Sequence, residues 1–108
     1  MSELIIAFVT TNTEREASSL AKKLINGRLA ACVNIISNIR SFYEWEGDIH
    51  DDQEHLLIIK SVKENVEKLK EFVEQNHTYE VPEFIVISAT DSLPDYLQWV
   101  KDATSPGA

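Results

Sequence analysis

From Leu29 to Lys60 the sequence carries one strong turn signal, Glu46-Gly47-Asp48, between two long stretches that read as extended chain. Ile39, Ser41, Tyr43 and Trp45 share one face by period 2 on the way out. Ile49 to Lys60 returns and ends in the apolar run Leu56-Leu57-Ile58-Ile59. The expectation is one long β-hairpin. Its outgoing arm, residues 29–46, is about 18 residues at ~3.3 Å each and would reach ~59 Å. A domain of this size has a radius of gyration of only ~13 Å. The hairpin must therefore bend, with Ser37-Asn38 the expected place, or overhang its own core. An isolated two-stranded ribbon is marginally stable, yet the outer half carries Phe42, Tyr43 and Trp45. Packing of the overhang on a neighbouring copy would cover those rings. A strand that folds back over its own sheet is the alternative.

The segments around the hairpin complete a pattern. Leu4 to Val9 is a continuous apolar run, expected as a strand buried on both faces. Thr13 and Glu16 have capping-box spacing. Ala17, Leu20, Ala21, Leu24 and Ile25 then form one helical stripe, and Gly27 is expected as its left-handed cap. Ser61 and Glu64 repeat the capping-box spacing before a second stripe, Val62, Val66, Leu69, Val73 and His77. Pro82 forbids continuation of that helix, which should end near Asn76-His77. Phe84 to Ile87 reads as the last strand. Pro94 opens a short third helix with Tyr96, Leu97, Trp99 and Val100 as apolar content. The tail from Thr104 is expected to be loose. The order βαββαβ plus a short helix is the α+β, ferredoxin-like plan. It predicts the first and third strands side by side, with both long helices on one face. A single domain is expected over residues 1–108, ordered from about 3 to 103.

Composition narrows the function. The chain has 108 residues, 44% apolar and 26% charged, which is ordinary for a globular domain. A net charge of −8 argues against nucleic acid as a partner. Cys32 is the single cysteine, so no internal disulfide forms and a reducing compartment is the simpler reading. The apolar start is too short for a signal segment and lacks a basic leader, and no run reaches membrane-spanning length. The expected setting is the cytosol, with no membrane partner.

Several residues could carry chemistry. His77 ends the second helix, where a histidine usually satisfies the last carbonyls. One histidine is not a metal site, since zinc or copper wants three or four ligands. Copies of the same ligand from a symmetric oligomer would change that count. Cys32 lies in an apolar strand, the usual place for an inert thiol. The hairpin tip gathers Glu46, Asp48, His50, Asp51, Asp52, Glu54 and His55, with Asp48, His50 and Asp52 on one face. A solvated acidic turn is the plain reading, loose cation binding the other. In "NHTYEVPE", residues 76–83, Tyr79, Glu80 and Glu83 exceed what a connector needs. They point to contacts with a ligand or a neighbouring subunit. Lys60 could pair with one of these glutamates. No Ser-His-Asp or paired-carboxylate site is evident, so an enzymatic role is not expected.

The series "RLAACVNII", "SFYEWEG", "LLIIK", "NHTYEVPE" and "PDYLQWV", in that order, strongly resembles the CutA family of divalent-cation tolerance proteins. The resemblance runs from about Leu4 to Asp102. It implies a ferredoxin-like subunit in a tight homotrimer whose hairpins pair with neighbouring copies. It also implies an inter-subunit cleft lined by Cys32, Trp45, Lys60, His77, Tyr79, Glu80 and Glu83. The function it implies is tolerance of divalent ions, copper among them, with Cu(II) or a similar cation weakly held, no organic cofactor and no established reaction. Val9 stands where some bacterial members carry a cysteine. Asn76 precedes His77 where they carry a second histidine, and Thr78 stands at a usual proline. His77 is thus the one candidate left at the family's metal position. A small-molecule signalling module using the same cleft without metal is the alternative expectation.

Overall fold

A computed structural model describes residues 3–106. The elements are β1 (Leu4–Thr11), α1 (Glu14–Asn26), β2 (Cys32–Trp45), β3 (Asp48–Val62), α2 (Val66–Asn76), β4 (Ile85–Ser88) and α3 (Pro94–Thr104). The strands form one sheet in the order β2-β3-β1-β4, with every neighbouring pair antiparallel. This is the expected ferredoxin-like α+β plan, with β1 and β3 at the centre. Among the described residues, no helix is long and apolar enough to cross a membrane.

Side chains alternate across β1, so its two faces meet different partners. Ile5, Ala7 and Val9 join Leu57 and Ile59 of β3 on one face. Ala17, Leu20 and Leu24 of α1 and Leu69 and Val73 of α2 close over them. Both long helices therefore cover the same face. On the other face α3 lays Val100 against Leu4 and Val62. It covers only that end of the sheet. Ile36, Ile85 and Ile87 remain 48%, 52% and 46% exposed, beside half-buried Ile6, Phe8, Leu56 and Ile58. Register puts them all on one surface: Ile85 pairs with Phe8, Ile87 with Ile6, and Ile36 with Leu56.

The hairpin turns through Glu46 (φ 52°) and Gly47 (φ 86°), flanked by the pair Trp45 and Asp48. Positive φ at both positions is the tight hairpin turn that follows strand twist. The bend falls where expected. The register shifts between Ile36 and Ile39, and Asn38 adopts φ 63°. Its N–H donates to His55 Nδ1 at 3.3 Å, and its side-chain oxygen accepts from Gln53 at 2.9 Å. Pairing of β1 with β3 stops at Thr11 and His55. From Glu54 to the tip the hairpin is a two-stranded ribbon, and the molecule measures 45 × 26 × 22 Å.

Several local expectations are corrected. β2 begins at Cys32, not Leu29. Gly27 has φ −84°, and the left-handed residue is Arg28 at φ 59°. Arg28 is held there by its guanidinium, which donates to the Ala103 carbonyl at 3.2 Å. Asn65 also donates to the carbonyls of Arg28 and Leu29, at 3.3 Å each. Gly27 still suits its place, since a Cβ would meet the Lys23 carbonyl at 3.2 Å. Ser61 caps no helix. It is fully buried in β3, donates to the Leu29 carbonyl at 2.6 Å, and α2 is entered through a 3₁₀ turn, Lys63–Asn65. Thr104 is not loose, for it is buried and bonds back to the Val100 carbonyl at 2.9 Å.

Candidate functional site

The site begins where α2 stops. His77 is its C-cap, with backbone turned to ψ 145° and its N–H still bonded to the Val73 carbonyl. Its side chain is 0% exposed. Nδ1 accepts the Tyr79 N–H at 3.0 Å, so the proton sits on Nε2 and is donated to the Thr10 carbonyl at 2.6 Å. Both ring nitrogens are thus committed to backbone, and a metal at either would have to displace one of those bonds.

Glu16 braces the same loop from α1. Thr13 accepts the Glu16 N–H at 3.1 Å, as its cap position predicts. The Glu16 carboxylate does not reach back to Thr13. It accepts from the Thr78 N–H at 3.0 Å and the Thr78 hydroxyl at 2.9 Å, and it lies 3.6 Å from His77 Nδ1. One half of the expected capping box is therefore spent on tying α1 to the loop.

Tyr79 carries the loop across to the hairpin. Its ring sits 4.7 Å from that of His77, and its hydroxyl donates to Glu54 Oε2 at 2.6 Å. Burial, then the bond to Glu54, pushes the phenol well above its ordinary pKa, so it stays a neutral donor. Tyr43, on the same hairpin face, donates to Asp52 and stacks on His50 with centroids 5.2 Å apart. Between loop and ribbon opens a cavity of about 320 Å³ lined by Thr10, Tyr43, Trp45, Glu54, Tyr79, Glu80, Val81 and Glu83. Burial, then the negative charge of Glu54, holds the Glu83 carboxyl above the usual carboxylate range. No lysine or arginine is among the lining residues.

The structure thus brings together Trp45, Tyr79, Glu80 and Glu83, with His77 behind Tyr79. It does not bring Cys32 and Lys60 to them. Those two pair across β2 and β3 beside Ile6, and Lys60 lies about 20 Å along the strand from Glu54. Lys60 bonds the Asn34 side-chain oxygen rather than a glutamate, and the Cys32 thiol lies 3.9 Å from the same oxygen. The lining also includes Thr10, Val81, Tyr43 and Glu54. Glu54 reads in sequence as part of a solvated acidic turn, but it is only 8% exposed. The alternation of Asp48, His50 and Asp52, carried one step further, reaches it.

Among the described residues no group of three or more His, Cys, Asp or Glu side chains is arranged to hold a metal ion. Fold and site together define a ferredoxin-like α+β protein with a cavity walled by aromatic rings and carboxylates. Comparison with known proteins sharpens this class. The family model of the CutA1 divalent ion tolerance protein matches residues 5–103, and the chain belongs to that family. "Protein CutA, chloroplastic" of Arabidopsis thaliana is 43% identical over 100 residues, which are 93% of this chain and 55% of that protein. The chain thus spans about half the length of that relative. "Divalent-cation tolerance protein CutA" of Thermus thermophilus is 38% identical over 104 residues, 96% of this chain and 99% of that one. The crystal structure of CutA1 from Oryza sativa superposes with a TM-score of 0.93 at 39% identity, covering 97% of this chain and 96% of that one.

Proposed function

We propose that the chain acts as a homotrimer in divalent-cation tolerance, copper included, by binding rather than by catalysis. The observation that carries the assembly is the uncovered sheet face. Ile36, Ile85 and Ile87 are each about half exposed beside Phe8 and Ile58, next to a ribbon that extends past β1. Apolar patches of this kind mark protein–protein contact surfaces. A neighbour seated there would cover the face and support the ribbon. The same assembly would let Cys32 and Lys60 of one copy join a cleft with the cavity of another, which one chain alone does not do. Names of relatives speak of tolerance and not of a reaction. The free thiol of Cys32 supports a reducing setting, the cytosol.

Multi-angle light scattering on a sizing column tests the assembly. A trimer mass is expected at micromolar concentration, and a monomer would remove the reading. Calorimetric titration with Cu(II), Zn(II) and Co(II) tests the metal, and heat with none of them would remove direct binding.

A second reading is a small-molecule module working without metal. The observation that favours it is the cavity itself, whose rings and carboxylates do not form a group of metal-ligand geometry. A ligand-specific thermal shift that survives chelator is its expected sign.

A further inference from the structure

The uncovered face of the sheet carries opposite charges at its two ends. Register sets Lys60 on this face beside Ile6 and Cys32. It is half-buried, and its ammonium donates to the side-chain oxygen of Asn34, a neutral acceptor. Among the described residues it has no carboxylate partner. An ammonium has three donors, so two are left over. At the other end Glu83 is half-buried on the cavity wall, also without an ion-pair partner among the described residues. The charge it does feel is the like charge of Glu54. Phe8, Ile36, Leu56, Ile58 and Ile85 lie between the two ends and carry no charge. Lys60 is about 20 Å along β3 from Glu54, far beyond the reach of one side chain. The two ends therefore do not meet within a chain.

Assembly through this face changes the balance. A neighbour that covers Ile36, Ile85 and Ile87 also takes the charges at the two ends out of water. A buried ion left without its partner is strongly destabilising. One contact removes both penalties, the ammonium of one copy against the carboxylate of another. A contact of like ends would set ammonium against ammonium and carboxylate against carboxylate. Complementary charges of this kind fix register and suppress wrong pairings.

We propose that Lys60 of each copy seats in the cavity of a neighbouring copy and pairs there with Glu83, so that every cavity is completed by a cation from a second chain. This rests on the homotrimer reading and adds the direction of its contacts. In a ring of three, each copy gives its Lys60 end to one neighbour and receives the other neighbour at its cavity. Tyr43, Trp45 and Tyr79 line the same cavity, and aromatic faces attract an ammonium group. Glu54 keeps its bond from Tyr79.

Charge exchange tests the contact. Sedimentation velocity through a urea series, at fixed chain concentration, reads the loss of the trimer. Lys60→Glu and Glu83→Lys, each alone, set like charges together. Each is expected to raise the dissociation constant at least about tenfold. Both changes in one chain restore an opposite pair, and the constant is expected to return to within about threefold of wild type. Should a reversal fail to fold by far-ultraviolet dichroism, Lys60→Met and Glu83→Gln replace it, and their double variant should be no weaker than the worse single. Single variants that leave the constant unchanged overturn the proposal. So does a double variant as weak as its two singles combined. Either result with a wild-type trimer removes this contact alone. A wild type that is monomeric without urea removes the assembly, and the contact with it. A dimer that shows the exchange keeps the contact and removes the three-membered ring.

Discussion

The hydroxyl of Tyr79 lies 2.6 Å from Glu54 Oε2, joining the loop after α2 to the base of the free ribbon. Glu54 is the last residue of β3 before β1 begins to pair, next to His55 opposite Thr11. The bond therefore spans the point where the hairpin leaves the body of the sheet. Tyr79→Phe removes the donor and leaves a buried carboxylate without a partner. A loss of about 1–3 kcal/mol is expected, read as a lower midpoint in urea.

His77 has no exposed side-chain surface and uses both nitrogens within the chain. His77→Ala strands the Thr10 carbonyl and the Tyr79 N–H. It should cost about 2–3 kcal/mol. Because neither nitrogen is spare, the Cu(II) affinity of the folded variant should match that of wild type. A clear fall in that affinity would identify His77 as a ligand.

The uncovered face gives a direct test of assembly. Ile85→Asp places a charge on a surface that is 52% exposed in one chain. Burying that unpaired charge in an interface is costly. The mass by light scattering should fall from trimer to monomer, with far-ultraviolet dichroism unchanged. A trimer that survives both this change and Ile36→Asp would place the interface elsewhere.

Glu83 predicts a pH dependence. Burial and the charge of Glu54 raise its pKa in the folded chain, so the folded state holds this proton more tightly than the unfolded state. By linkage, stability falls as pH rises from the ordinary carboxyl value, about 4.3, through the raised one. Glu83→Gln removes that loss. Thermal melts in the Ile85→Asp background, where the chain stands alone, should show the variant gaining on that background at neutral pH and losing the advantage below the ordinary value. A constant difference across the range would contradict this.

The hairpin turn stores a small correctable strain. Glu46 holds φ 52°, a conformation that asparagine tolerates better than glutamate. Glu46→Asn should add about 0.5–1 kcal/mol. Gly47→Ala meets nothing within 4 Å but forces φ 86° on an alanine, and it should cost about 1 kcal/mol. Chemical denaturation of both variants checks the pair.

The order of elements was legible because apolar periodicity is a local property. Leu4 to Val9, the α1 stripe and the hairpin turn each declare themselves over a few residues. The break at Ser37-Asn38 was also legible, because the strand was too long for the body it serves. What the sequence hid depends on distant partners. Glu16 has the spacing of a cap, yet Thr78 outcompetes Thr13 for its carboxylate. Ser61 has the spacing of a cap, yet the Leu29 carbonyl takes its hydroxyl. Arg28 occupies the left-handed position because Asn65 and the end of α3 hold it there. In the site, Trp45, Tyr79, Glu80 and Glu83 were legible as a group through the family resemblance. Glu54 was masked by its acidic neighbours, since charge in sequence does not report burial.

One wall of the cavity stands on a ribbon with no core of its own. Among the described residues, its strands from Ile39 to Glu54 pair with each other and are tied to the body through the Tyr79 bond and the Asn38 bulge. Occupancy and order are then thermodynamically linked. A guest that bridges Tyr43 or Trp45 to Glu83 adds its binding free energy to the ribbon's local stability. Amide exchange along residues 39–54 should slow in its presence while exchange in β1 stays unchanged. The hairpin would then act as a gauge of what the cavity holds, legible to any neighbour that touches its tip.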